Sequence, residues 1–142
     1  MEPSCSTPRH LIVFFFAFCL SLILAQNIGG WKNQNPKDPK FKDFAWKSVK
    51  KINQIYTSSY ASKNYLIPSQ IIRAQSQVMA GTNYKIEIEF GLSRCSKDVD
   101  VSSVTEKNCP LGFTGTYLDY QVHVILVWDM PWKNRTRIFV VS

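Results

Sequence analysis

The chain has few of the side chains that build catalytic and metal sites. It contains two histidines and four cysteines, and one histidine and two cysteines lie in an N-terminal segment typical of a removable leader. The remaining residues of these types are His123, Cys95 and Cys109. A zinc site needs several His or Cys ligands, and a thiol-dependent peptidase needs a free thiolate with a histidine partner. We therefore predict no metal site and no cofactor.

Serine-triad chemistry is disfavoured on similar grounds. It would have to use His123, which lies in a strand-like run from Tyr120 to Trp128, and the chain has no nucleophile-elbow motif. The sequence predicts that the protein is not an enzyme and that His123 is an ordinary strand residue.

High charge and long apolar runs are also absent. Only 19% of the residues are charged, which argues against a disordered chain. The apolar run from Leu11 to Leu24 is shorter than the roughly 20 residues of a membrane-spanning helix. Because this run follows Arg9 and precedes the small residue Ala25, we interpret residues 1–25 as a secretory signal peptide, not as a stable membrane anchor.

The rest of the chain is enough for one folded domain. A length of 142 residues with 45% hydrophobic residues supports a single core, and no internal repeat interrupts it. We assign residues 26–37 to a flexible N-terminal trunk and residues 38–142 to the domain. In the oxidising compartment of a secreted, extracellular protein, Cys95 and Cys109 are expected to form one disulfide.

Positive charge exceeds negative charge, with 17 Lys and Arg against 10 Asp and Glu. This excess is spread along the chain, which favours solubility, and we predict no nucleic-acid partner. One concentration of lysines lies on the predicted helix and is either a solvated face or a footprint for a polyanion. Its members are Lys40, Lys42, Lys47, Lys50 and Lys51.

One amphipathic helix is predicted after the trunk. Asp38 can cap its N-terminus, and Pro39 suits the first helical position. Side chains at three-to-four spacing form a stripe that should face the core. The stripe consists of Phe41, Phe44, Ala45, Ser48, Val49, Ile52, Ile55 and Tyr56.

The remainder has the patterns of β-strands. Runs from Ile71 to Met79 and from Tyr84 to Leu92 precede a loop, and the second run alternates apolar with charged residues. Runs from Tyr120 to Trp128 and from Thr136 to Val141 flank a turn that contains Pro131. We predict an α+β fold in which an antiparallel meander buries one face under the helix and leaves the other face in water.

Two predicted hairpin tips carry distinctive residues. The segment Gln77-Val78-Met79-Ala80-Gly81 ends one strand just before another, and Pro131-Trp132 lies between the last two strands. Both can be simple turns, with Gly81 supplying a positive φ. A tryptophan at a tip is poorly placed for a core, however, and exposed aromatic side chains at tips are typical of contact residues.

In this order the motifs resemble those of the secreted, type 2 cystatins, which inhibit papain-like cysteine peptidases. The stretch from Gln77 to Gly81 matches the family's Gln-x-Val-x-Gly region. The other matches are Gly29-Gly30 for the trunk glycine, Pro131-Trp132 for the second hairpin, and Cys95 with Cys109 for the first disulfide.

The chain also departs from the vertebrate members of that family. His123 stands where the first cysteine of their second disulfide would be, and its partner is missing too. Together with Gly29-Gly30-Trp31 and Val127-Trp128, this pattern is most similar to the secreted cystatins of nematodes.

The resemblance implies a cystatin-like fold, with four or five antiparallel strands wrapped around one long helix. It also implies a reversible, tight-binding, monomeric inhibitor whose trunk and two hairpins fill the active-site cleft of a cathepsin L, S or B type peptidase. Ile28 would be the apolar anchor of the trunk, and Gly29 or Gly30 would let the backbone bend. The implied peptidase-binding residues of the hairpins are Gln77, Val78, Met79, Ala80, Gly81, Pro131 and Trp132.

Two further expectations follow from the sequence. The alternative function is a secreted cystatin-fold protein without inhibitory activity that acts as a cationic binding or immunomodulatory module on cell surfaces. Asn134 begins the N-glycosylation acceptor Asn134-Arg135-Thr136, close to Trp132, so a glycan there should hinder docking of the second hairpin.

Overall fold

A computed structural model of the protein describes residues 29–56, 63–112 and 120–141. The predicted signal peptide and Ile28 lie outside these residues. The chain divides into two compact units, Met1–Gly30 and Trp31–Ser142, and every helix and strand given below belongs to the second unit.

One α-helix and five strands make up the described part of the domain. The helix, α1, is Pro39–Ile55. The strands form one antiparallel sheet in the order β1-β2-β3-β4-β5, so neighbours along the chain are also neighbours in the sheet. This confirms the predicted α+β fold. The strands are β1 Lys32–Gln34, β2 Asn64–Met79, β3 Gly81–Ser96, β4 Tyr120–Met130 and β5 Arg135–Val140.

The helix begins where the sequence predicts. The Asp38 carboxylate accepts a hydrogen bond from the backbone N–H of Lys40 at 3.0 Å, and Pro39 occupies the first turn. This hydrogen bond favours the ionised carboxylate, and it is the main reason that the pKa of Asp38 lies below its ordinary value.

The buried stripe of α1 differs from the prediction at its C-terminal end. Ile55, the last helical residue, is 54% exposed, whereas Asn53 is buried. Asn53 accepts a hydrogen bond from the backbone N–H of Leu66 at 2.9 Å and donates to the Leu66 carbonyl at 2.8 Å. A buried amide is stable when its polar atoms are paired, so Asn53 fixes α1 to β2.

The core lies between α1 and one face of the sheet. Ile86, Ile88 and Phe90 of β3 and Ile125 of β4 are fully buried there, together with Phe41 of the helix. The alternation in β3 therefore sorts side chains as predicted, with apolar residues inside and the charged residues between them on the other face.

The other face of the sheet is polar on β3 but not on β4. His123, Ile125 and Val127 are buried on the core side, so Val122 and Leu126 point outward, and Val122 is 50% exposed. The outer face of β4 is therefore in water, as predicted, but it is apolar. The reason is that β4 has apolar side chains on both of its faces, so neither face can be fully polar.

Part of the segment expected to be a flexible trunk is a strand. β1 pairs antiparallel with β2, with Lys32 opposite Ser76 and Gln34 opposite Ala74. The pairing exists because β2 offers backbone groups on its outer edge, which a three-residue segment without periodicity does not reveal. Strand β2 also begins earlier than expected, and Pro68 lies inside it beside a register shift.

The predicted disulfide joins Cys95 to Cys109, with their Cα atoms 5.7 Å apart. Cys109 is buried in a second, smaller apolar cluster with Tyr65 and Ile67. By the loop-entropy estimate the crosslink contributes roughly 3 kcal/mol to stability. Within the three described ranges no helix is both long and apolar enough to cross a membrane.

Candidate functional site

Both predicted hairpin tips lie at the same end of the sheet. The register of β3 against β4 places Thr82 opposite Asp129 and Asn83 opposite Trp128. The turn that precedes β3 and the turn that follows β4 are therefore side by side. The two motifs, about 50 residues apart in the sequence, form one continuous rim, which we call the hairpin rim (Gln77–Gly81 with Pro131–Asn134).

The first tip is short and exposed. Met79 pairs with Gly81 across the hairpin, so Ala80 alone connects the two strands. Val78 and Met79 are 68% and 60% exposed, although both are apolar. The side-chain amide of Asn83 donates to the Met79 sulfur at 3.3 Å. The tip thus presents uncharged, apolar groups on a ladder-paired backbone.

Gly81 is required at this tip for two reasons. Its φ is +112°, which confirms the positive φ predicted for this turn. Residues other than glycine rarely adopt this conformation. A Cβ at Gly81 would also lie 2.7 Å from the carbonyl oxygen of Asp129 and 3.0 Å from Nε1 of Trp128. The first hairpin can therefore pack closely against β4 only if residue 81 is glycine.

The second tip is a single 3-10 turn, Pro131–Lys133. It is closed by Asn134, whose left-handed backbone (φ 45°) lets its N–H donate to the Pro131 carbonyl at 3.0 Å. Just behind the turn, the Thr136 hydroxyl donates to the Asp129 carboxylate at 2.8 Å. Trp132 at the tip is 65% exposed. Its ring stands in solvent and does not fold back on the sheet.

Trp128, which the sequence suggested only as a point of similarity to nematode cystatins, joins the first tip to β4. The indole N–H of Trp128 donates to the carbonyl of Ala80 at 3.0 Å. The guanidinium of Arg137 lies 5.8 Å above the Trp128 ring. One signal in the sequence points to this role. Trp128 alternates with the buried residues of β4, so its side chain is on the outer face of the sheet and not in the core.

An apolar groove of about 370 Å³ lies on the outer face beside the first tip. It continues the apolar surface of Met79 toward β5. Its lining residues are Trp31, Met79, Ala80, Asn83, Leu126, Val127, Trp128 and Phe139.

The N-terminal unit contains the predicted trunk glycines. Gly29 has a φ of +108°, whereas Gly30 is not among the residues with positive φ. Of these two residues, Gly29 has the backbone conformation that favours glycine. Ile28, the predicted anchor, lies outside the described residues.

Comparison with known proteins identifies the family. A family model described as the cystatin domain matches residues 29–124. The nematode protein cystatin cpi-1 of Caenorhabditis elegans is 37% identical over 126 residues, which are 87% of this chain and 84% of that protein. Onchocystatin of Onchocerca volvulus is 26% identical over 115 residues, 81% of this chain and 66% of that protein.

Solved structures agree with this relationship. The crystal structure of Al-CPI matches with a TM-score of 0.61 and 27% identity, over 80% of this chain and 96% of that chain. The chain belongs to the cystatin family. Membership supports a role as a cysteine protease inhibitor and not as an enzyme, and the similarity to nematode cystatins confirms the resemblance seen in the sequence.

Proposed function

We propose that the protein is a secreted, reversible, tight-binding inhibitor of papain-like cysteine peptidases of the cathepsin L, S or B type. One observation carries the proposal. Val78 and Met79 of the first tip and Trp132 of the second are apolar, more than half exposed, and located at the same end of one sheet. Exposed apolar and aromatic side chains that cluster at one edge are typical of a binding surface.

The first tip suits insertion into a narrow cleft. No charged residue occurs between Gln77 and Tyr84, so burying the tip would not strip water from a charge. The hairpin ladder and the hydrogen bond from Trp128 to Ala80 hold the tip in place before binding. A tip held in this way loses little conformational entropy on docking.

The second tip would contact the primed side of the cleft. Pro131 fixes the start of its turn, and Trp132 would lie flat on the rim of the peptidase. On the unprimed side, Ile28 would fill an apolar subsite, and the positive φ of Gly29 would let the trunk bend over the cleft.

An inhibition assay with the mature chain, residues 26–142, tests the proposal. We expect saturable inhibition of a cathepsin L-type peptidase that competes with a small cleft-directed substrate and is reversed by dilution. Inhibition should persist without release of a cleaved inhibitor, which mass spectrometry would show. If a large excess of folded protein leaves the peptidase fully active, the inhibitor proposal is wrong, and the alternative of a non-inhibitory binding module gains support.

Secretion and the monomeric state are part of the same proposal. The apolar segment that ends before Ala25 supports export, and expression in a eukaryotic secretory host should release a chain that begins near Gln26. N-terminal sequencing of the released protein and its mass in solution test both points.

A further inference from the structure

The last strand and the turn before it are rich in positive charge. The segment from Lys133 to Val141 contains three cations and no carboxylate. The neighbouring acid on β4, Asp129, already accepts a hydrogen bond from Thr136 at 2.8 Å. Among the residues that the structure describes, no ion pair involves Lys133, Arg135 or Arg137, so these cations remain available to an external anion.

The lysines of α1 do not form a comparable surface. Lys40 and Lys47 pair with carboxylates at 3.3 and 2.7 Å, those of Asp38 and Asp43 respectively. Lys42 pairs with Glu106. The helix face that could have been a polyanion footprint is therefore largely an ion-paired, solvated face.

The remaining lysine of interest, Lys51, points toward β5. Its ammonium group donates to the carbonyl of Ile138 and lies 5.6 Å from the centre of the Phe139 ring. Arg135 and Arg137 are two residues apart on the exposed parity of β5, which spaces them by roughly 7 Å. Arg137 and Lys51 line one groove, and Arg135 and Lys133 precede Arg137 along the chain. We call these four residues the β5 cation row.

Two residues of the row, Arg137 and Lys51, line an open groove of about 610 Å³ between α1 and β5. Three cations face this groove, one of them the ion-paired Lys47. The lining residues are Lys47, Lys51, Thr136, Arg137, Ile138 and Phe139.

We propose that the β5 cation row and its groove bind a linear sulfated polysaccharide of the heparin type. Guanidinium groups pair with sulfate oxygens through two parallel hydrogen bonds, and regularly spaced cations match a polymer with regularly spaced anions. The ligand is also one that a secreted protein meets outside the cell. This inference does not depend on peptidase inhibition.

Two other polyanions fit less well. An acidic peptide could add a strand to the β5 edge, but Lys51 already occupies the carbonyl of Ile138 on β5. Single-stranded nucleic acid needs open aromatic faces for base stacking. Here Arg137 lies over one face of the Trp128 ring and Lys51 over one face of the Phe139 ring, and the open Trp132 ring lies in the turn outside β5. A sugar chain needs neither a free edge nor a free ring.

The experiment titrates unglycosylated mature chain with a heparin dodecasaccharide in 150 mM salt, a concentration that screens weak charge attraction. We expect the double variant Arg135→Gln/Arg137→Gln to bind about tenfold more weakly or worse. The matched control, Lys63→Gln/Lys107→Gln, removes the same charge from exposed positions elsewhere and should change affinity less than twofold. Thermal unfolding of each variant confirms that it is folded.

Three outcomes overturn the proposal. One is the absence of measurable heparin binding by the parent chain. Another is an equal loss in both double variants, which would mean attraction to net charge alone. The third is tighter binding of a single-stranded DNA 12-mer or of an acidic peptide than of heparin, with dependence on Arg135 and Arg137, which would assign the row to a different partner. Desulfated heparin should not bind.

Discussion

The indole nitrogen of Trp128 donates a hydrogen bond to the carbonyl of Ala80 at 3.0 Å. This bond joins the single connecting residue of the first hairpin to the strand that leads into the second. Gly81 lies directly beside it, with no space for a side chain. The first tip of the hairpin rim is therefore braced against β4 before any partner binds.

Replacing Trp128 with phenylalanine tests whether this brace matters for binding. Trp128→Phe keeps an aromatic ring but removes the donor, and a hydrogen bond at an exposed site is worth about 1 kcal/mol. We expect the inhibition constant to rise about fivefold while the free energy of unfolding falls by no more than about 1 kcal/mol. Trp46 is partly buried against the smaller apolar cluster around Cys109, so Trp46→Phe is the control and should leave inhibition unchanged. An unaltered inhibition constant in Trp128→Phe would show that the first tip is positioned without this bond.

Gly81→Ala should affect both stability and inhibition. Alanine at a positive φ is strained, and its Cβ would lie against the Asp129 carbonyl, so we expect a loss of about 1 to 3 kcal/mol in the free energy of unfolding. Urea denaturation measures the loss, and a peptidase assay measures the weaker inhibition that accompanies the displaced tip. Gly30→Ala provides the comparison, because Gly30 has ordinary φ and open space, and its stability should match the parent.

Trp132→Ala should affect binding alone. The ring is 65% exposed, so its removal leaves no cavity, and an aromatic contact residue at an interface typically contributes about 2 kcal/mol. We expect inhibition about 30-fold weaker with nearly unchanged thermal stability. A stability loss of roughly 3 to 5 kcal/mol would instead mark Trp132 as a core residue.

A glycan on Asn134 should interfere with the second tip. Asn134 is exposed, closes the turn that presents Trp132, and begins an acceptor sequence. We expect either low occupancy in a secretory host or an inhibition constant that improves after enzymatic deglycosylation, measured on the same preparation. A fully glycosylated chain that inhibits as well as the bare chain would place the second hairpin outside the interface.

The helix cap should make stability depend on pH in the acidic range. The Lys40 backbone N–H lowers the pKa of Asp38 in the folded state, so the cap stabilises fully above the unfolded pKa of about 3.9. The stabilisation is lost as the pH falls through the lower, folded pKa. Asp38→Asn retains a cap that does not titrate. Urea midpoints between pH 2 and 6 should therefore vary less for Asp38→Asn than for the parent, and parallel curves would contradict this account.

The local elements of this fold were predictable because their causes are local. Asp38 and Pro39 mark the start of the helix through the backbone groups of the first turn. The alternation from Tyr84 to Leu92 defines the buried face of β3, since a strand turns successive side chains to opposite sides. The two hairpin motifs and the cysteine pair were likewise visible in the sequence.

Tertiary structure decided how these pieces meet. β1 has no signal of its own and exists because the edge of β2 offers it partners. The bond between Trp128 and Ala80, and the closeness that excludes a side chain at Gly81, depend on the register of β3 against β4. That register is set by core packing across the whole sheet, so no short stretch of sequence encodes it.

The same holds for charge. The sequence grouped five lysines on the helix, but folding paired Lys42 with Glu106 from a distant loop and directed Lys51 to β5. Composition and periodicity determined the net charge, the helix and the strand faces. Only the fold decided which cations are neutralised and which face a common groove, because electrostatic partners are chosen by distance in space and not along the chain.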